Sequence, residues 1–313
     1  MYILCHEPEG SQDPALPCLD DFNFKLINRL IDENDKSIFG ATFEYKGKSL
    51  SNIPQFVIAF RGTSLKRETA EQDIELDKLC LKNKLHKSSR FQEAMKYIEY
   101  MVDLHRGAGV WLAGHSLGAA ISLLAGKEMA KKTTNTSKRI DAYLFNPPFC
   151  SDFILRWIKN KSMNFRIHLT KNFVKLIVDR FGKDQHQEAQ ANDAFDALSN
   201  WVPHIFVHPD DPICSAYIHY FQNRQKMLED GFRKVEKLAA MKTMRMVLGM
   251  DSSPEAMHLL PSAILIINKV EFPQEIQGPC GKIKKKKLAH QLEQWWSPNS
   301  SCQSSDYKYN PPN

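Results

Sequence analysis

The chain has 313 residues, 42% hydrophobic and 10% aromatic, enough for a sizeable core in one α/β domain enlarged by extra helices. Its net charge of +6 fits a mildly basic surface, so no nucleic-acid partner is expected. Seven scattered cysteines without a CxxC pair argue against a zinc site or a disulfide framework. With no apolar run of about 18 residues and no apolar stretch behind a basic N-terminus, neither a spanning helix nor a secretory leader is expected, and a cytoplasmic protein with reduced thiols is.

In chain order, "FNFKLINRLIDEN" (22–34) has apolar residues at helical spacing behind Asp20 and Asp21, which can cap it, and predicts a helix. "SIFGATFEY" (37–45) alternates and predicts a strand. "QFVIAFRG" (55–62) is a short continuous apolar run, as in a buried parallel strand. The polar segment "TSLKRETAEQDIELDKLCLKN" follows, helical in its second half. "SRFQEAMKYIEYMVDL" (89–104) places Phe91, Met95, Ile98, Met101 and Val102 on one helical face. "GVWLAG" (109–114) predicts a strand and "LGAAISLLAGKEMAKK" a helix whose basic end suits the helix dipole. "RIDAYLFNPP" (139–148), "HIFVHP" (204–209) and "SAILIINKV" (262–270) predict further strands. Two stretches, near 151–200 and 216–250, look like helical insertions, and the polar tail 299–313 is expected to be disordered. Alternating strands and helices predict a mostly parallel sheet with helices on both faces, whose ligands bind beyond the carboxyl ends of the strands.

"GHSLG" places Ser116 between Gly114 and Gly118, with an apolar strand before it and a helix after it. That context is the one a nucleophile elbow requires: a serine on a strained strand-to-helix turn, flanked by residues small enough to let the backbones close. The alternative is a glycine-rich turn in which Ser116 merely caps a helix. A serine hydroxyl needs a base, and the base needs an orienting carboxylate. In this kind of fold the chain order is Ser, acid, His. "HPDDPIC" directly after a strand offers Asp210 and Asp211; Asp211, before Pro212, is the preferred acid, although Asp before Pro is also ordinary turn chemistry. Downstream lie His219, in a helix too near the acid's strand, His258, before the last predicted strand, and His290, after it; His290 is therefore the expected base. The oxyanion donors are expected from the N–H of Leu117 and from Thr63, at the end of "AFRGT", whose N–H or hydroxyl could donate. No metal or cofactor is called for.

"FVIAFRGT", "GVWLAGHSLGAA", "YLFNPP", "HPDDPIC" and "LAHQLEQWW" together resemble the fungal-lipase-like class 3 lipases, and among them a plant branch of lipase-like proteins sometimes labelled GDSL esterase/lipase, although no Gly-Asp-Ser-Leu block occurs. The resemblance runs from about residue 20 to 298. It implies an α/β-hydrolase fold over 20–298, a shortened N-terminal segment over 1–19, and a serine hydrolase acting on acyl or lipid esters. It marks Ser116 as nucleophile, Asp211 as acid, His290 as base and Thr63 as an oxyanion residue. Two departures stand out. Ala119 replaces the usual glycine, and the segment after Thr63, where the family carries an apolar lid, is strongly polar, so activation at an oil–water interface is not expected. The competing expectation is a lipase-like scaffold that binds a partner or acyl ligand without turnover. The lysine run "KIKKKK" (282–287) would suit anionic headgroups at a membrane surface or nuclear import, its ordinary reading being a solvated loop.

Overall fold

The computed structural model describes residues 22–48, 53–63, 77, 79–80, 84–105, 109–132, 140–149, 195, 197–231, 257–272, 279–298 and 300–309. The chain divides into two compact units, 1–147 and 148–313.

Among its described residues, the first unit holds strands β1 (Phe24–Ile31), β2 (Ile38–Tyr45), β3 (Phe56–Phe60), β4 (Val110–His115) and β5 (Asp141–Phe145), with helices α1 (Ser89–Leu104) and α2 (Leu117–Lys132). β1–β2 and β2–β3 pair antiparallel; β3–β4 and β4–β5 pair parallel. Ile58, Ala59 and Phe60 of β3 are buried together, as the continuous apolar run anticipates. α1 starts at Ser88, whose Oγ accepts from the Phe91 N–H at 3.2 Å, and it buries the face carrying Phe91, Met95, Ile98, Met101 and Val102. α2 is buried on most of its circumference, which its Ala- and Gly-rich sequence permits.

The predicted helix over 22–34 is not found: 24–31 is β1. The segment supports both periodicities. Phe24 and Leu26 lie on alternate positions and pack on Ala41, Phe43 and Ala59, and Leu30 is buried, while Ile27 and Ile31 face outward. Pairing with β2, with register shifts between Leu26 and Asn28 and between Leu30 and Ile31, satisfies the backbone and decides for the strand. Asp32 is a partner in a buried ion pair rather than part of a helix. Its Oδ2 accepts from Arg90 Nε at 2.8 Å, and its Oδ1 accepts from the Asn34 N–H. Burial raises the Asp32 pKa, but the Asn34 and Arg90 hydrogen bonds outweigh it and hold the group below its ordinary value.

The second unit holds β6 (His204–Val207), β7 (Ala263–Asn268) and β8 (Cys302–Tyr307), with helices α3 (Ala216–Glu229) and α4 (Pro279–His290). β6 and β7 pair parallel, and β8 pairs antiparallel with β7. The tail expected to be disordered thus contains a strand. Its side chains are mostly exposed, so its polar composition misled; the backbone ladder to β7 orders it. Aromatic residues fasten it: Tyr307 stacks on Phe221 at 4.8 Å, and buried Tyr309 meets Phe195 edge-on and donates its N–H to Ser262 Oγ. The lysine run, read as a loop, lies within α4, and Lys285–Lys287 are exposed. Of the two expected insertions, 216–229 is α3, whereas most of 151–200, and 232–250, fall outside the described residues. So do residues 1–19 and the polar segment 64–76.

Candidate active site

In the first unit, Ser116 follows β4 and precedes α2. Its φ is +53°, in the left-handed region that L-residues avoid. The turn is locked from both sides. The Ser116 N–H donates to Phe145 O of β5 at 3.0 Å, and Ser116 O accepts from the Ala120 N–H at 3.1 Å in the first turn of α2. A Cβ on Gly114 would collide with the Gly118 backbone and come within 2.5 Å of Ala119 N; one on Gly118 would strike the Phe60 carbonyl. The two glycines therefore let β3, β4 and α2 close on one another, and the serine is left displayed at the helix N-terminus, where the Leu117 N–H begins the helix.

The loop after β3 reaches the same place. A Cβ on Gly62 would sit 3.3 Å from Ser116 Cβ and 3.0 Å from His115 O, so the "RGT" turn lies against the elbow. Arg61 is buried, and its Nε donates to Ile38 O at 2.8 Å, which ties that turn to β2. The Thr63 hydroxyl faces the Asp77 carboxylate, 3.0 and 2.9 Å from its two oxygens, so its proton is directed to Asp77. The donor Thr63 has left to offer an oxyanion is its N–H. Asp77 was not singled out from the sequence. It lies in a segment with several acidic residues, and nothing in the spacing distinguishes it from its neighbours.

In the second unit, Asp211 follows β6 and is fully buried. Its Oδ1 accepts from the Ile213 N–H at 2.9 Å, an Asx turn, and its main-chain O accepts from the Ser215 N–H at 2.9 Å just before α3. Its Oδ2 lies 2.9 Å from Nδ1 of His290, the last residue of α4, and 3.1 Å from the Cys214 thiol. Turn-capping and orientation of a histidine, two readings that competed in the sequence, are thus carried by different oxygens of one carboxylate. Burial raises the Asp211 pKa, yet the hydrogen bond and charge of His290, helped by Cys214 and the Ile213 N–H, bring it below its ordinary value. It stays a carboxylate and accepts the Nδ1–H of His290, leaving Nε2 as the ring's other nitrogen.

The alternatives sit elsewhere. Asp210, 42% exposed, pairs with Lys285 Nζ of α4 at 3.0 Å. His219 lies on α3, and buried His258 packs its ring on Phe149, centroids 4.3 Å apart. His208, also missed in the sequence, is buried and structural: its Nδ1 accepts from the Asp210 N–H, so its Nε2–H donates to Val270 O at 3.1 Å. Burial, opposed by that hydrogen bond and by nearby aspartates, lowers its pKa and keeps it neutral.

Residues 57–175 match the family model described as Lipase (class 3). An Arabidopsis thaliana protein described as a GDSL esterase/lipase is 35% identical over 96% of this chain and 85% of its own length. The chain belongs to the class 3 lipase family. It is thereby an α/β-hydrolase-type carboxylic ester hydrolase, in keeping with its parallel strands and covering helices. Among solved structures, a lipase of Rhizopus microsporus var. chinensis aligns at a TM-score of 0.34 and 16% identity, covering 63% of this chain; the chain spans 57% of that enzyme. An esterase of Pyrobaculum calidifontis aligns at 0.33 and 12% identity, over 85% of this chain and 83% of the esterase. Among the described residues, no helix of this lipase-family chain is long and apolar enough to cross a membrane.

Proposed function

We propose that this class 3 lipase-family protein hydrolyses acyl esters through a covalent acyl-enzyme on Ser116, with His290 as general base and Asp211 as its orienting acid. The observation that carries the proposal is the 2.9 Å hydrogen bond from His290 Nδ1 to a buried carboxylate. It fixes the tautomer that leaves Nε2 as the acceptor for a serine proton. Ser116 Oγ attacks the ester carbonyl as His290 takes its proton. The alkoxide is met by the Leu117 N–H and by the Thr63 N–H, on the turn whose Gly62 lies against the elbow. His290 then returns the proton to the departing alcohol. Water, deprotonated by the same imidazole, releases the acid and restores Ser116.

The substrate class follows from the family and from the polar character of 64–76: acyl or lipid esters presented as monomers rather than at an oil–water interface. A cytoplasmic location is the reading from seven scattered cysteines without a CxxC pair. The test is turnover of p-nitrophenyl esters of increasing chain length by wild type and Ser116→Ala. The rate should fall at least about 10³-fold in the variant, and wild-type turnover should not jump where the ester exceeds its solubility. Turnover by Ser116→Ala as fast as wild type would mean that Ser116 is not the nucleophile, and folded wild-type protein with no turnover would be an ester-binding scaffold instead.

A further inference from the structure

Asp211 Oδ2 is shared. His290 Nδ1 reaches it at 2.9 Å, and the sulfur of Cys214, three residues along the same turn, reaches it at 3.1 Å. Cys214 is fully buried at the entrance to α3 and is held there by the turn itself, since the Ser215 N–H donates to Asp211 O and the Tyr217 N–H to Cys214 O. A thiolate at that position would put two anions against each other away from water, so the sulfur carries its proton and donates it to the carboxylate.

From this shared oxygen we infer that Cys214 is a positioning residue of the acid–base pair: its thiol fixes the rotation of the Asp211 carboxylate and draws charge from Oδ2, setting how strongly that oxygen binds His290. The inference rests on the proposed roles of Asp211 and His290. A carboxylate oxygen that already accepts one hydrogen bond is a weaker acceptor for the next and stabilises an imidazolium less. A thiol is a weak donor, so the adjustment is small. Isoleucine, valine or alanine at 214 would fill the turn without supplying it.

The titratable and charged groups nearby include Asp210, which pairs with Lys285, and His208, which feels the charge of Asp211, while Lys286 and Lys287 share the helix of His290; a substitution at Cys214 leaves all of them in place. Cys214→Ala, and Cys214→Val should the alanine variant not fold, remove the donor; Cys214→Ser restores one. Without the donor, the acidic limb of the kcat/KM profile should move up by about 0.5 pH unit and kcat should fall a few-fold at unchanged KM. Serine should return the limb to within 0.2 unit of wild type or below it (about 0.2 being the limit of a careful profile). The His290 Nδ1 proton resonance, read by NMR, should move downfield in the alanine or valine variant and back in serine. That resonance needs no turnover. It therefore tests Cys214 even if Ser116→Ala retains activity and the catalytic reading falls. A resonance and limb unmoved in folded alanine or valine protein, or moved equally by serine, would overturn the inference, because packing and not the donor would then be at work.

Discussion

Ser116 and Asp211 are positioned by different physics. In the first unit, backbone sterics do it: a left-handed φ at Ser116, two glycines that allow strands and helix to touch, and main-chain hydrogen bonds to Phe145 and from Ala120. In the second unit, side-chain polarity does it. A buried carboxylate distributes its lone pairs among the Ile213 N–H, Cys214 and His290, while Asp210 and Lys285 join the same loop and helix at the surface. Substitutions that add volume should therefore damage the first unit. Substitutions that alter charge or donors should spare the fold and damage activity in the second.

The largest expected effect belongs to the second unit. Asp211→Asn keeps size but presents an amide that can donate to Nδ1, which would favour the wrong histidine tautomer; kcat should fall by about 10³-fold or more. The fold should survive, as judged by circular dichroism. A loss under tenfold would break the contrast. The next effect belongs to the first unit. Gly118→Ala sets a methyl against the Phe60 carbonyl, which cannot swing aside as a side chain would. Denaturant unfolding should show a loss of about 3 kcal/mol, and a cost well under 1 kcal/mol would show that the elbow is looser than its geometry implies.

Smaller effects sharpen the same distinction. Ser116→Gly removes the hydroxyl and relieves the positive φ; the protein should become more stable by about 1 kcal/mol while losing ester turnover. A destabilised variant would show that the serine side chain holds the turn. Finally, His208 is buried neutral with a lowered pKa. The unfolded chain binds a proton below the ordinary histidine value while the folded one does not. Stability is therefore lost as pH falls from about 6.5 toward the depressed value. His208→Gln should flatten the melting temperature between pH 7 and 5.5; an unchanged slope would place the acid sensitivity elsewhere.

What was legible in the sequence follows the same division. Sterically enforced features leave local marks. The glycines around Ser116, the apolar run of β3 and the periodic face of α1 each appear within a few adjacent residues and were read directly. Features made by long-range pairing do not. The segment 24–31 carries both helical and alternating apolar spacing, and only the β2 ladder settles it; β8 is polar because its side chains face solvent, and its order comes from β7. His290 could be proposed only from chain order, since nothing adjacent to it marks a base. Asp77 had no local signal, since it meets Thr63 only when the chain folds, and although Cys214 lies three residues from Asp211, nothing in "DDPIC" marks its thiol as turned onto the carboxylate.

Intact-protein mass spectrometry after brief exposure to a fluorophosphonate tests directly whether Ser116 is the activated nucleophile. One adduct should form and map to Ser116. It should be absent in Ser116→Ala and form at least about 100-fold more slowly in His290→Ala. Labelling of another residue at the wild-type rate, or labelling of Ser116→Ala as fast as wild type, would contradict the account.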